Sequence, residues 1–87
     1  MTTAASALSI EVVADTLVVT FRGVLDAEGA TLLRDAVEAA FTSDVPHRVE
    51  IDLRAMASST AEGMARLAEC AQLGAAVRDG LHYRVGA

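Results

Sequence analysis

A chain of 87 residues makes one domain with a modest core, since a chain of this size buries only about 60–65% of its unfolded surface. Its net charge is −5 and its seven cations are all Arg, scattered singly, so no basic stripe exists to neutralise phosphates, which argues against nucleic-acid binding. One cysteine, Cys70, leaves no internal disulfide or cysteine-cluster metal site, and no run approaches the roughly 20 apolar residues of a membrane span.

Met1–Ala7 is small and polar and is expected to be a flexible N-terminal tail, with the folded domain over residues 8–87. Met1–Ile10 carries no Arg and no sustained apolar stretch, so it is not a signal peptide, and a soluble cytoplasmic protein is expected. Leu8–Val12 alternates apolar and polar residues, as a half-buried strand does. Ala14-Asp15-Thr16 reads as a turn, and Leu17–Arg22, rich in β-branched residues, as the hairpin partner that Gly23 interrupts.

Asp26 is placed to cap a helix from Ala27 to about Thr42, with Glu28 in the first turn where its charge favours the helix dipole. Leu33, Val37, Ala40 and Phe41 share one face of it. Pro46 closes this unit and favours an extended Val45. Val49–Leu53 reads as a buried strand. Ser59 and Glu62 then fit a Ser-x-x-Glu capping box at the head of a second helix, which runs to about Val77 with Met64, Leu67, Ala68, Ala71 and Ala75 as its apolar stripe. Asp79-Gly80 ends that helix, and Leu81–Val85 is a last short strand. The order β-β-α-β-α-β defines an α/β domain with a mixed four-stranded sheet and both helices on one face.

Three pieces carry a family resemblance: Phe21–Asp26 at the entry to the first helix, Val49–Leu53 ending in Asp-Leu, and Gly63 in the first turn of the second helix. Their order and spacing resemble the STAS domain of bacterial anti-sigma-factor antagonists. In that family the second helix opens on Asp-Ser-Ser/Thr-Gly, and the first Ser is phosphorylated by a kinase. Counted from Asp52 without a gap, the motif Asp falls on Thr60, the phosphoacceptor on Ala61, the next position on Glu62 and the Gly on Gly63. The resemblance therefore implies the scaffold without the usual phosphorylatable hydroxyl. The family also carries an amphipathic helix after the last strand, whereas here only Gly86-Ala87 follows Val85.

The resemblance implies a partner-docking face over Ala57, Ser58, Ser59, Thr60, Ala61, Glu62, Gly63 and Met64. Thr60, nearest the old register, and Ser59 are the displaced candidates for phosphorylation. A phosphate there would sit on helix-terminal N–H groups, although Ser59 is less suited if its oxygen caps the helix. Glu62 either completes the capping box or offers a fixed charge beside the register. Gly63 costs up to about 1 kcal/mol against Ala. Close approach of a strand or partner accounts for it, and so does drift.

His47 and His82 have no second ligand at a recognisable spacing, so no metal is expected. Cys70 reads as a small buried hydrophobe. No phosphate-binding loop, dinucleotide fingerprint or paired-carboxylate signature is present, so neither enzymatic activity nor a cofactor is expected. The expectation is a protein-binding regulatory module whose partner is an anti-sigma factor of kinase-like fold, a larger STAS protein, or an ABC ATPase. An accessory subunit of an ABC lipid transporter and a structural homo-oligomer are the alternatives. Apolar surface without the final helix to cover it predicts self-association.

Overall fold

In the computed structural model, residues 7–85 are described, in the order β1 (Ala7–Val13), β2 (Thr16–Leu25), α1 (Ala27–Ser43), β3 (Arg48–Ser59), α2 (Ala61–Cys70), a 3₁₀ helix (Ala71–Ala76) and β4 (Leu81–Arg84). Ala7 opens β1, and the rest of the expected N-terminal tail lies outside the described residues. The strands form one mixed sheet in the order β1-β2-β3-β4. β1 and β2 are antiparallel, while β2–β3 and β3–β4 are parallel, each parallel pair linked through a helix.

Alternation along the strands sorts the side chains. Leu17, Val19 and Phe21 of β2, with Val49, Ile51 and Leu53 of β3, all point to one side. There they form a single core with Ala30, Leu33 and Val37 of α1 and Leu67 and Cys70 of α2, so both helices lie on the same face. Each buried Leu, Val, Ile or Phe among them contributes about 1.5–3 kcal/mol relative to exposure. The opposite face carries a charge ladder. Glu50 pairs with Arg48 at 2.9 Å and with Arg84 of the neighbouring strand at 3.2 Å. Asp52 accepts from Arg54 at 2.8 Å. Hydrogen bonds from the Arg54 side chain and backbone hold Asp52 down at about 2.

The turn between β1 and β2 is Ala14-Asp15, both with positive φ, 49° and 66°, the left-handed geometry that matches hairpin twist. Gly23 does not end β2. It takes φ 107°, and the strand continues to Leu25 through two shifts of register against β3. β3 likewise runs on past Leu53 to Ser59, because Arg22–Leu25 of β2 keep pairing with Ala55–Ser59.

The second helix also departs from its sequence reading. It is α-helical only to Cys70, and its buried residues are Gly63, Leu67 and Cys70, while Met64, Ala68, Ala71 and Ala75 are exposed. The inward stripe is thus rotated by one position, and the remaining turns tighten to 3₁₀ before Val77 enters the core. No helix among the described residues is long and apolar enough to cross a membrane.

Candidate functional site

The carboxyl ends of β2 and β3 lie side by side, and a helix starts from each. At the first, Asp26 caps α1, its Oδ1 accepting from the Gly29 N–H at 2.8 Å. At the second, Thr60 caps α2, its Oγ1 accepting from the Gly63 N–H at 2.9 Å. The two starts are tied together, since the Thr60 N–H donates to the Leu25 carbonyl at 3.0 Å.

Three details correct the sequence reading. Thr60, not Ser59, is the cap, and Ser59 is the last residue of β3. The expected Ser59–Glu62 capping box therefore does not form; Glu62 sits in the first turn, 4.0 Å from Arg66 one turn on. The oxygen committed to capping belongs to Thr60 and not to Ser59. A phosphate on Thr60 has to replace that cap, whereas one on Ser59 leaves it in place. Gly63 has a structural explanation as well: a Cβ there would stand 2.1 Å from the Leu25 carbonyl oxygen, so only glycine lets α2 start this close to β2.

Of the eight residues expected at the docking face, Gly63 alone is buried. Ala57, Ser58 and Ser59 lie along the end of β3, Thr60 at the corner, and Ala61, Glu62 and Met64 on the first turn of α2, all exposed. They form a continuous ridge on a fixed backbone. Beyond Met64, itself 44% exposed, opens an apolar groove of about 260 Å³, lined by Leu53, Met64, Leu67, Ala68, Tyr83 and Val85. Its floor is fixed by the Tyr83 hydroxyl, which donates to the Leu67 carbonyl at 2.9 Å; burial pushes that phenol up to about 12. The sequence reading missed this groove. The signal was the period of two in β4, which puts Leu81, Tyr83 and Val85 on one face.

The other candidates are dispersed. His47 Nδ1 lies 3.8 Å from Asp15 Oδ2, and His82 Nε2 is 2.9 Å from the Asp79 carbonyl. Among the described residues, no three His, Cys, Asp or Glu side chains gather to hold a metal. Cys70 is buried, which raises its thiol above the ordinary value and keeps it protonated.

No protein-family model matches the sequence, and no curated protein matches it. Solved structures do match in shape. An anti-sigma factor antagonist from Mycobacterium paratuberculosis superposes with a TM-score of 0.75 at 22% identity, over 95% of this chain and 69% of that one. An anti-sigma-factor antagonist STAS domain from Rhodobacter sphaeroides gives 0.63 at 18%, over 92% and 84%. Mglu gives 0.70 at 23%, over 91% of this chain but only 19% of Mglu, so the chain spans about a fifth of that protein's length. The fold is STAS-like.

Proposed function

We propose that this chain is a non-enzymatic, protein-binding regulatory module of the anti-sigma-factor-antagonist kind. The observation that carries the reading is the ridge Ala57–Met64 on a STAS-like fold. It is exposed, yet its backbone is held by β3 pairing, the Thr60 cap and the Leu25–Thr60 hydrogen bond. A surface fixed before contact loses little entropy on binding. The partner covers the ridge and seats an apolar side chain in the groove beside Met64. Anti-sigma factors of kinase-like fold come first among candidates, ahead of larger STAS proteins and ABC ATPases.

The module is unswitched in this reading. Ala61 stands where the resemblance places the phosphoacceptor, and alanine has no oxygen to accept phosphate. Partner affinity should then be indifferent to kinase and ATP. Calorimetric titration against kinase-fold anti-sigma factors, larger STAS proteins and ABC ATPases from the source genome tests the docking. Met64→Asp is expected to weaken the complex about a hundredfold, with the circular dichroism spectrum unchanged. Binding by none of the three classes removes the reading. Intact-mass measurement after incubation with kinase and ATP tests the switch: a stoichiometric phosphate lost in Thr60→Val or Ser59→Ala would establish a displaced switch instead.

Self-association through the same groove is the second reading, favoured by Val85, 70% exposed at its rim. A clean monomer by sedimentation at high micromolar concentration removes it.

A further inference from the structure

At the far end of the sheet, ten residues of β2 away from the docking ridge, a second groove of about 390 Å³ separates β1 from the end of α1. Ile10 and Val12 form one wall, Ala40, Val45 and Pro46 the other, and buried Leu17 the floor. Ile10, Val12 and Val45 are 47%, 67% and 44% exposed. On β1 the cause is topological. Leu8, Ile10 and Val12 pair with Phe21, Val19 and Leu17, so they face the helix layer, but α1 lies over β2 and stops short of the edge strand.

Two features set the sign of charge at the rim. α1 ends here with no basic residue in its last turn and with Asp44 as its C-cap, so the negative end of the helix dipole and a carboxylate share one side. Across the groove stands Asp15, largely exposed. The only basic group at the rim is His47, and no arginine lines the groove. The usual cation at a helix C-terminus is missing from the last turn of α1.

We propose that this groove docks a partner protein through an apolar segment flanked by Arg or Lys. The apolar side chains lie on Leu17 between Ile10 and Val45, and the cation stands at the α1 terminus between Asp44 and Asp15. A second copy of this chain does not suit the site, because a two-fold contact sets the same carboxylates against one another. The surface is separate from the ridge at α2, so the domain has a face for a second partner.

A random-peptide display library selected on the wild-type protein, with Val12→Asp as the counter-selection, tests this without assuming the partner. The expected winners combine apolar residues with Arg or Lys. A synthetic winner should shift the amide resonances of Ile10, Val12, Ala40 and Val45 in NMR mapping. Its affinity should fall about tenfold in the Asp15→Asn/Asp44→Asn variant, as loss of two exposed ion pairs implies, and stay unchanged in Glu62→Gln. Both Asn replacements suit their backbones: Asp15 has positive φ, and Asp44 caps through its own N–H. Acidic or uncharged winners, shifts centred on Thr60–Met64, undiminished affinity in the double variant, concentration-dependent shifts without peptide, or no enrichment over Val12→Asp would each overturn the proposal.

Discussion

α1 and α2 begin in the same way and end differently. Each opens on an oxygen-bearing cap whose side chain accepts from a glycine N–H three residues on, Asp26 to Gly29 and Thr60 to Gly63. Each glycine is buried. A Cβ on Gly29 would stand 3.0 Å from the tip of the Phe21 ring and 3.1 Å from the Val24 carbonyl, contacts that small shifts relieve. On Gly63 it would stand 2.1 Å from one carbonyl oxygen and 2.7 Å from its carbon, which no side-chain adjustment relieves. α1 then runs 17 residues with four buried positions, while α2 gives way to 3₁₀ after ten. Both helices are packed along their length, α2 through Gly63, Leu67 and Cys70; what sets α2 apart is that its start leaves no room for a Cβ. The start of α2 is also where the proposed docking ridge lies, so the proposed function and the fold depend there on the same few atoms.

The sharpest way to break this comparison is Gly63→Ala, which should cost about 3 kcal/mol or more in chemical denaturation and abolish partner binding. A loss under about 1 kcal/mol would show that α2 does not need so close an approach. Next come the caps. Thr60→Ala and Asp26→Ala should each cost about 1 kcal/mol, with Thr60→Ser nearly neutral. Hydrogen exchange should place the Thr60→Ala damage in α2 alone.

Tyr83 tests a further tether of α2, beside the core packing of Leu67 and Cys70. Tyr83→Phe leaves the Leu67 carbonyl without its donor and should cost about 1 kcal/mol. The phenol is held protonated up to about 12 in the folded chain, against an ordinary value of 10.0. Its contribution is therefore whole below pH 10 and lost as pH rises toward about 12. Urea midpoints across that range should fall more steeply for wild type than for Tyr83→Phe. The smallest effect is expected for Gly29→Ala. There, about 1 kcal/mol of recovered helix propensity opposes the crowding of Phe21, and the net change should stay within about 1 kcal/mol.

How far the sequence disclosed this molecule follows the range of the interactions involved. Local signals were sufficient for β1, the first part of β2 and α1: alternation at Leu8–Val12, the β-branched run of Leu17–Arg22, the Asp26 cap, and the spacing of Leu33, Val37 and Phe41. They did not extend to the continuation of β2 through Gly23 to Leu25. The extension of β3 was hidden because Arg54–Ser59 has little strand propensity and is held straight by β2, over thirty residues earlier in the chain. That extension places Ser59 in the strand and moves the cap to Thr60. Two adjacent hydroxyl residues and a Glu in the right place made the wrong box look complete. For Gly63 the sequence left close approach of a strand and drift as equal explanations, since the obstructing atom that decides between them belongs to Leu25. Both grooves depend on which strands the helices fail to cover; the alternation of Leu81, Tyr83 and Val85 marks one wall of the groove beside Met64, but layer placement decides that it stays open.

The Ala14-Asp15 turn bears on the order in which the chain assembles. It joins β1 to β2 with two residues, so that pairing closes a short loop and is available within microseconds. The central β2–β3 pairing has to wait until α1 and its flanks have spanned the gap between Leu25 and Arg48. β4, four residues long and bonded on one side only, joins at the rim. The last pieces in are the first to leave. In native-state exchange, amides of Leu81–Arg84 should open at much lower free energy than those of Leu17–Phe21. Each such opening takes away the wall that Tyr83 gives to the groove beside Met64, so the lifetime of this short strand sets how long the proposed docking surface stays whole.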